Sequence, residues 1–100
     1  MTHRTAEEMA DITIEIYNSE FRGKSKGRFA LTREQIKDIS GRITLKDSII
    51  EQLIDELYER GYCMIYVDGI VYSIMKQSIL ANFRKPTKSV LTKITNKYKA

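Results

Sequence analysis

The chain has one cysteine, one proline, one histidine and no tryptophan in 100 residues. Cys63 therefore has no partner for an internal disulfide, which suits a reducing compartment and leads us to expect a cytoplasmic protein. A free cysteine is most often a small buried hydrophobe, and Cys63 is expected to be one. His3 lies close to the first residue, far in sequence from Cys63, so the chain offers no evident nucleophile–base pair. No Cys/His cluster has zinc-ligand spacing. No apolar run approaches the roughly 20 residues that span a bilayer. The opening MTHRTAEEMADI is polar and acidic, unlike a signal peptide. The expectation is a protein that is not an enzyme, needs no cofactor or metal, and is not attached to a membrane.

What is present is charge, and it is segregated. The formal net charge of +4 averages over opposed blocks. Counting His3 neutral, residues 1–21 sum to −4, residues 22–28 (RGKSKGR) to +4, residues 45–61 to −3 and residues 76–100 to +7. Local cationic excess of this kind is the footprint of phosphate binding; a solvated surface is the other reading. In RGKSKGR the stretch GKS has the end of a phosphate-binding Walker loop, but that motif needs a glycine at position 18, where this chain has Asn18. A nuclease-type acidic-x-Lys triplet is also missing after Asp68, because Ser73-Ile74-Met75-Lys76 puts an apolar residue at the carboxylate position. With 42% hydrophobic residues, one small core is within reach, with a modest margin of stability.

Element signals follow in order. Ala10, Ile14, Tyr17 and Phe21 keep helical spacing over residues 5–21, although ITIEIY also alternates like a strand. Phe29-Ala30-Leu31 suits a short strand. Thr32 and Gln35 form a capping box, with Leu31 and Ile36 as its hydrophobic staple, and Ser40-Gly41 ends that second helix. Thr44 with Asp47 is the expected start of a third helix, whose stripe of Ile49, Ile50, Leu53, Ile54 and Leu57 runs towards Gly61. YCMIYV-DG-IVYSIM then reads as a hairpin with a two-residue turn, pairing Val67 with Ile70, Ile65 with Tyr72 and Cys63 with Ile74. That register puts Tyr62, Met64, Tyr66, Val71 and Met75 on one face, which we expect to be either an interface, chiefly for a homodimer, or the seat of the C-terminal tail. Ile79, Leu80 and Phe83 suggest a short helix before Pro86. Val90, Leu91, Ile94 and Tyr98 make the stripe of a basic tail helix.

Helix, short strand, helix, Gly turn, helix and hairpin, carried by LTREQIKDISGRITLKDSIIEQLIDELYERGYCMIYVDGIVYSI, resembles the winged helix-turn-helix superfamily. The resemblance implies an α+β fold, with a small winged-helix domain over residues 5–75. That domain would have a three-helix core and a β-hairpin wing, followed by a basic helical extension over 76–100. It also implies duplex DNA as the partner, through a transcription regulator or a factor in a related DNA transaction. By position, Arg42, Thr44, Lys46 and Ser48, with Gln52 beyond them, would face bases. Arg33, Lys37, Arg22, Lys24, Lys26 and Arg28 would contact phosphates, with Lys76 after the wing. Two departures stand out: the wing tip Asp68-Gly69 carries no cation, and the third helix bears Glu51, Asp55, Glu56 and Glu59. Carboxylates are repelled by a duplex that carries a phosphate charge every roughly 1.7 Å, so the alternative is a protein–protein module using that acidic helix and the apolar hairpin.

Overall fold

The computed structural model describes residues 3–20, 27–68 and 71–98. Among these residues the chain forms a small α+β domain of five helices and one three-stranded antiparallel sheet.

Helix α1 spans Ala6–Tyr17. It opens on a capping box of its own. The Glu8 N–H donates to Thr5 Oγ1 at 3.1 Å, and the Thr5 N–H donates to Glu8 Oε1 at 2.9 Å. The helical reading of this segment wins over the strand reading because Met9, Ala10, Thr13 and Tyr17 make one buried stripe. Phe21 lies outside the described residues. Strand β1, Phe29–Leu31, leads directly into α2, Arg33–Ser40. The Thr32–Gln35 box is formed in both directions, at 3.2 and 2.9 Å. Gly41 ends α2 in the left-handed region at φ 70°, where a side chain would be strained.

Helix α3 spans Asp47–Glu59, later than expected. Thr44 is not its cap; Lys46 is, with no side-chain hydrogen bond to the helix. Leu45 explains the delay. Its side chain is buried in the core, and its carbonyl accepts a bond from Arg33 Nη2 at 2.8 Å. The chain is thus pinned one residue before the cap, and the helix starts only after that anchor.

Strands β2, Tyr62–Val67, and β3, Val71–Lys76, complete the sheet in the order β1-β3-β2. The hairpin register differs from the sequence expectation by one residue. Val67 pairs with Val71, Ile65 with Ser73 and Cys63 with Met75; Gly69 and Ile70, on which the expected turn falls, lie outside the described residues. A one-residue slip exchanges the faces of one strand relative to the other. Met64, Tyr72 and Ile74 accordingly point into the core, joined by Tyr62 and Tyr66 on the same face. Larger rings account for the choice. Tyr62 meets Tyr17 edge-on with ring centres 5.2 Å apart, and Tyr66 lies 4.8 Å from Tyr72; such pairs stabilise beyond simple burial. Pairing with β1 agrees: Leu31, anchored inward beside the α2 cap, sits opposite Tyr72.

The core joins α1, α2, α3 and the inner sheet face through Met9, Ile36, Leu53, Leu57 and Ile74, none of which is accessible. Ile50 is buried with them, while Ile49 and Ile54 pack at the margin. The one-turn helix α4, Gln77–Ala81, is tied back by Gln77, whose N–H donates to Gly61 O at 2.9 Å and whose Nε2 donates to Tyr58 O at 2.7 Å. Helix α5, Lys88–Lys97, is capped by Thr87 and has no buried residue. It extends from the domain: the radius of gyration is 17.6 Å, against about 13 Å for a compact chain of this length. Among the described residues, no helix is long and apolar enough to cross a membrane.

Candidate nucleic-acid interface

The site residues expected from the sequence are distributed over several parts of the domain. Arg22, Lys24 and Lys26 lie outside the described residues; Arg28 is exposed immediately before β1. Thr44, Lys46 and Ser48 are exposed together at the start of α3, beside Ile43, whose side chain is 85% accessible. These residues form a small tip that also holds the exposed Asp47, so Lys46 and Asp47 leave it with no net formal charge.

Arg42 behaves differently from its neighbours. Its N–H donates to the buried Ser40 Oγ at 3.1 Å, and its Nη1 approaches Met9 Sδ at 3.7 Å. The guanidinium is thus drawn back over α1, away from the tip.

Arg33 and Lys37 are committed within the domain. Arg33 bridges three elements: it pairs with Asp47 at 3.0 Å, donates to Tyr72 Oη at 3.3 Å and donates to Leu45 O at 2.8 Å. Hydrogen bonding to Asp47, and secondarily to Tyr72, holds its pKa above the ordinary arginine value. Lys37 pairs with Glu34 at 3.2 Å. Sequence position alone marks both as phosphate contacts. The three-residue spacing of Glu34 and Lys37 carried a local signal for Lys37; nothing local marks Arg33, whose hydrogen-bond partners Leu45 and Tyr72 are 12 and 39 residues away.

Beyond its first turn, the outer surface of α3 is acidic. Glu51, Asp55 and Glu59 are exposed, with Gln52 and Tyr58 among them, and Asp47 adds a further exposed carboxylate in the first turn itself. Gln52, Asp55 and Glu56 line a shallow depression with Thr5, Ala6 and Glu7. Arg60 closes one side of this acidic seam through Asp11, Glu56 and the Glu7 carbonyl. Arg4, which no sequence pattern singles out, ties the N-terminal segment to the end of α2 by donating to Ile39 O at 2.9 Å.

The expected hairpin interface is split by the register. Tyr62, Met64 and Tyr66 stand on the core side, with Met64 buried, whereas Val71 and Met75 stand on the opposite face with Cys63, Ile65 and Val67. Cys63 is half-buried there, not enclosed. Lys76 is exposed, and its ammonium lies 6.0 Å from the Tyr17 ring centre. Past it, Arg84, Lys85, Lys88, Lys93 and Lys97 are all exposed, and no carboxylate occurs between Val71 and Tyr98. Among the described residues, no group of three His, Cys, Asp or Glu side chains is placed to hold a metal ion.

No protein-family model matches the chain, no curated protein matches it in sequence, and no solved structure matches it in fold, so the candidate interface rests on its own geometry.

Proposed function

We propose that this chain is a winged helix-turn-helix protein that binds duplex DNA and serves transcription or a related DNA transaction. In this reading α2 and α3 are the helix-turn-helix pair and the β2–β3 hairpin is the wing. The observation that carries the reading is the basic arm: five exposed cations from Arg84 to Lys97, with no carboxylate among them. Such a stripe attracts phosphate whatever the base sequence. Arg28 before β1, and Arg22, Lys24 and Lys26 earlier in the sequence, add cations. The tip formed by Thr44, Lys46 and Ser48 enters the major groove end-on, because the exposed carboxylates further along α3 oppose a deeper approach. Arg33 and Lys37 position α2 and are not assigned to phosphate.

A second reading has its own observation. The acidic outer surface of α3 and the internal commitment of Arg33 favour a protein–protein module whose partner is basic. Duplex binding measured across a salt series separates the two. Phosphate-driven association weakens steeply as salt rises; absence of duplex binding at low salt leaves the protein–protein module.

A further inference from the structure

The outer face of the sheet is apolar where a solvated face should be polar. Ala30 on β1, Cys63, Ile65 and Val67 on β2, and Val71, Ser73 and Met75 on β3 share it. Ser73 is its one polar side chain. An antiparallel sheet with one face in water normally alternates apolar-in and polar-out, so a face of this composition is built to be covered. Ile65 and Val67 are each 41% accessible.

The same chain carries a second unpartnered apolar surface. Val90, Leu91, Ile94 and Tyr98 line one side of α5, with accessibilities from 45% to 84%. Helix α5 does not lie on its own sheet. It stands off the domain, in a molecule 59 Å long and at most 32 Å across.

We propose that α5 of one chain packs across the outer sheet face of a second copy, and that the second copy returns the contact, giving a two-fold dimer with exchanged arms. This proposal is independent of the DNA reading. Three points favour this occupant. First, both complementary surfaces belong to one sequence, and arm exchange closes the symmetry so that neither is left open. Second, pairing α5 with α5 would bring Lys88, Lys93 and Lys97 of both helices together, whereas the outer sheet face carries no cation among its strand positions. Third, exchange makes two helix-on-sheet contacts in place of one, doubling the area removed from water towards the roughly 1,200–2,000 Å² of specific stable interfaces. The cationic side of α5 stays outward in this arrangement.

The test uses the full chain and two substitutions on accessible side chains, Ile94→Glu on α5 and Ile65→Glu on the sheet. Solution mass is measured by sedimentation for the unaltered chain, for each variant and for an equal mixture of both. The unaltered chain should be a dimer, and each variant alone should dissociate at least about tenfold more readily, as loss of a central apolar anchor does. The mixture should regain dimer, because the intact arm of the Ile65→Glu chain meets the intact sheet of the Ile94→Glu chain. A monomeric unaltered chain overturns the proposal. So does a dimer broken by one substitution alone, which would indicate arm–arm or sheet–sheet pairing, and so does a mixture that recovers nothing. Circular dichroism checks that both variants fold. If Ile65→Glu does not, Ile65→Thr replaces it, and the same outcomes decide.

Discussion

Arg33, the first residue of α2, holds Asp47, the first residue of α3, at 3.0 Å. The pair spans the turn between the helices at an exposed position. The same guanidinium reaches Tyr72 on the central strand and the Leu45 carbonyl, so one side chain fastens two helix starts to the sheet.

Arg33→Ala should therefore lower the urea midpoint of unfolding more than Asp47→Ala does. Removing Asp47 deletes one half-exposed ion pair, which counts for little. Removing Arg33 also deletes a charged donor to the Leu45 carbonyl. Equal midpoints for the two variants would show that the clamp has no structural weight. Duplex affinity should be nearly unchanged for Arg33→Ala under conditions where it remains folded.

The register makes a sharp prediction about adjacent residues. Met64→Ala should destabilise by about 2–3 kcal/mol, because its side chain is buried in the core. Ile65→Ala, one residue later, should cost less than about 1 kcal/mol in the isolated monomer, since it leaves an accessible position. Chemical denaturation of dilute protein measures both. The reverse order would restore the two-residue turn read from Asp68-Gly69.

Helix α3 starts without a side-chain cap, and this too can be tested. Lys46→Ser should raise stability by about 0.5–1 kcal/mol, by accepting a bond from one of the first free N–H groups of the helix. The same change removes a cation from the tip. It should therefore weaken or redirect duplex binding while raising the melting temperature, a combination that ordinary structural damage does not produce. Thr32→Ala, at the well-formed cap of α2, should cost about 1 kcal/mol.

On the DNA reading, replacing Lys24, Lys26 and Arg28 by Ala should weaken binding to all duplexes alike. It should also flatten the salt dependence by about one unit of slope for each phosphate no longer neutralised. Substituting Lys88, Lys93 and Lys97 should do the same through the arm. If the slope is indifferent to both sets, the cationic segments are solvated surface and the protein–protein reading gains.

The local elements were legible because their signals are local. The Thr32–Gln35 box, the Gly41 stop and the Ile50–Leu53–Leu57 stripe each lie within one or two turns of chain. The hairpin register was not legible from the turn alone. Asp-Gly favours a two-residue connection, but tertiary packing of Tyr62 on Tyr17 and pairing of Leu31 with Tyr72 outweighed that preference. The start of α3 was hidden for the same reason, since Leu45 is held by a residue twelve positions away. Among candidate site residues, Thr44, Lys46 and Ser48 are exposed around the start of α3. Arg33 and Lys37 resemble phosphate contacts in one dimension and turn out to be paired in three.

Helix α5 has ten residues and no buried side chain. A helix of that length is marginal in water on its own, because nucleation is costly and few bonds follow it. Its helicity therefore depends on what it meets. At high dilution the arm should exchange its amide protons almost as fast as an unstructured peptide, and protection should rise with protein concentration or with added duplex. The C-terminal segment then reports its own occupancy: the fraction of arm that is helical is the fraction that has found a surface.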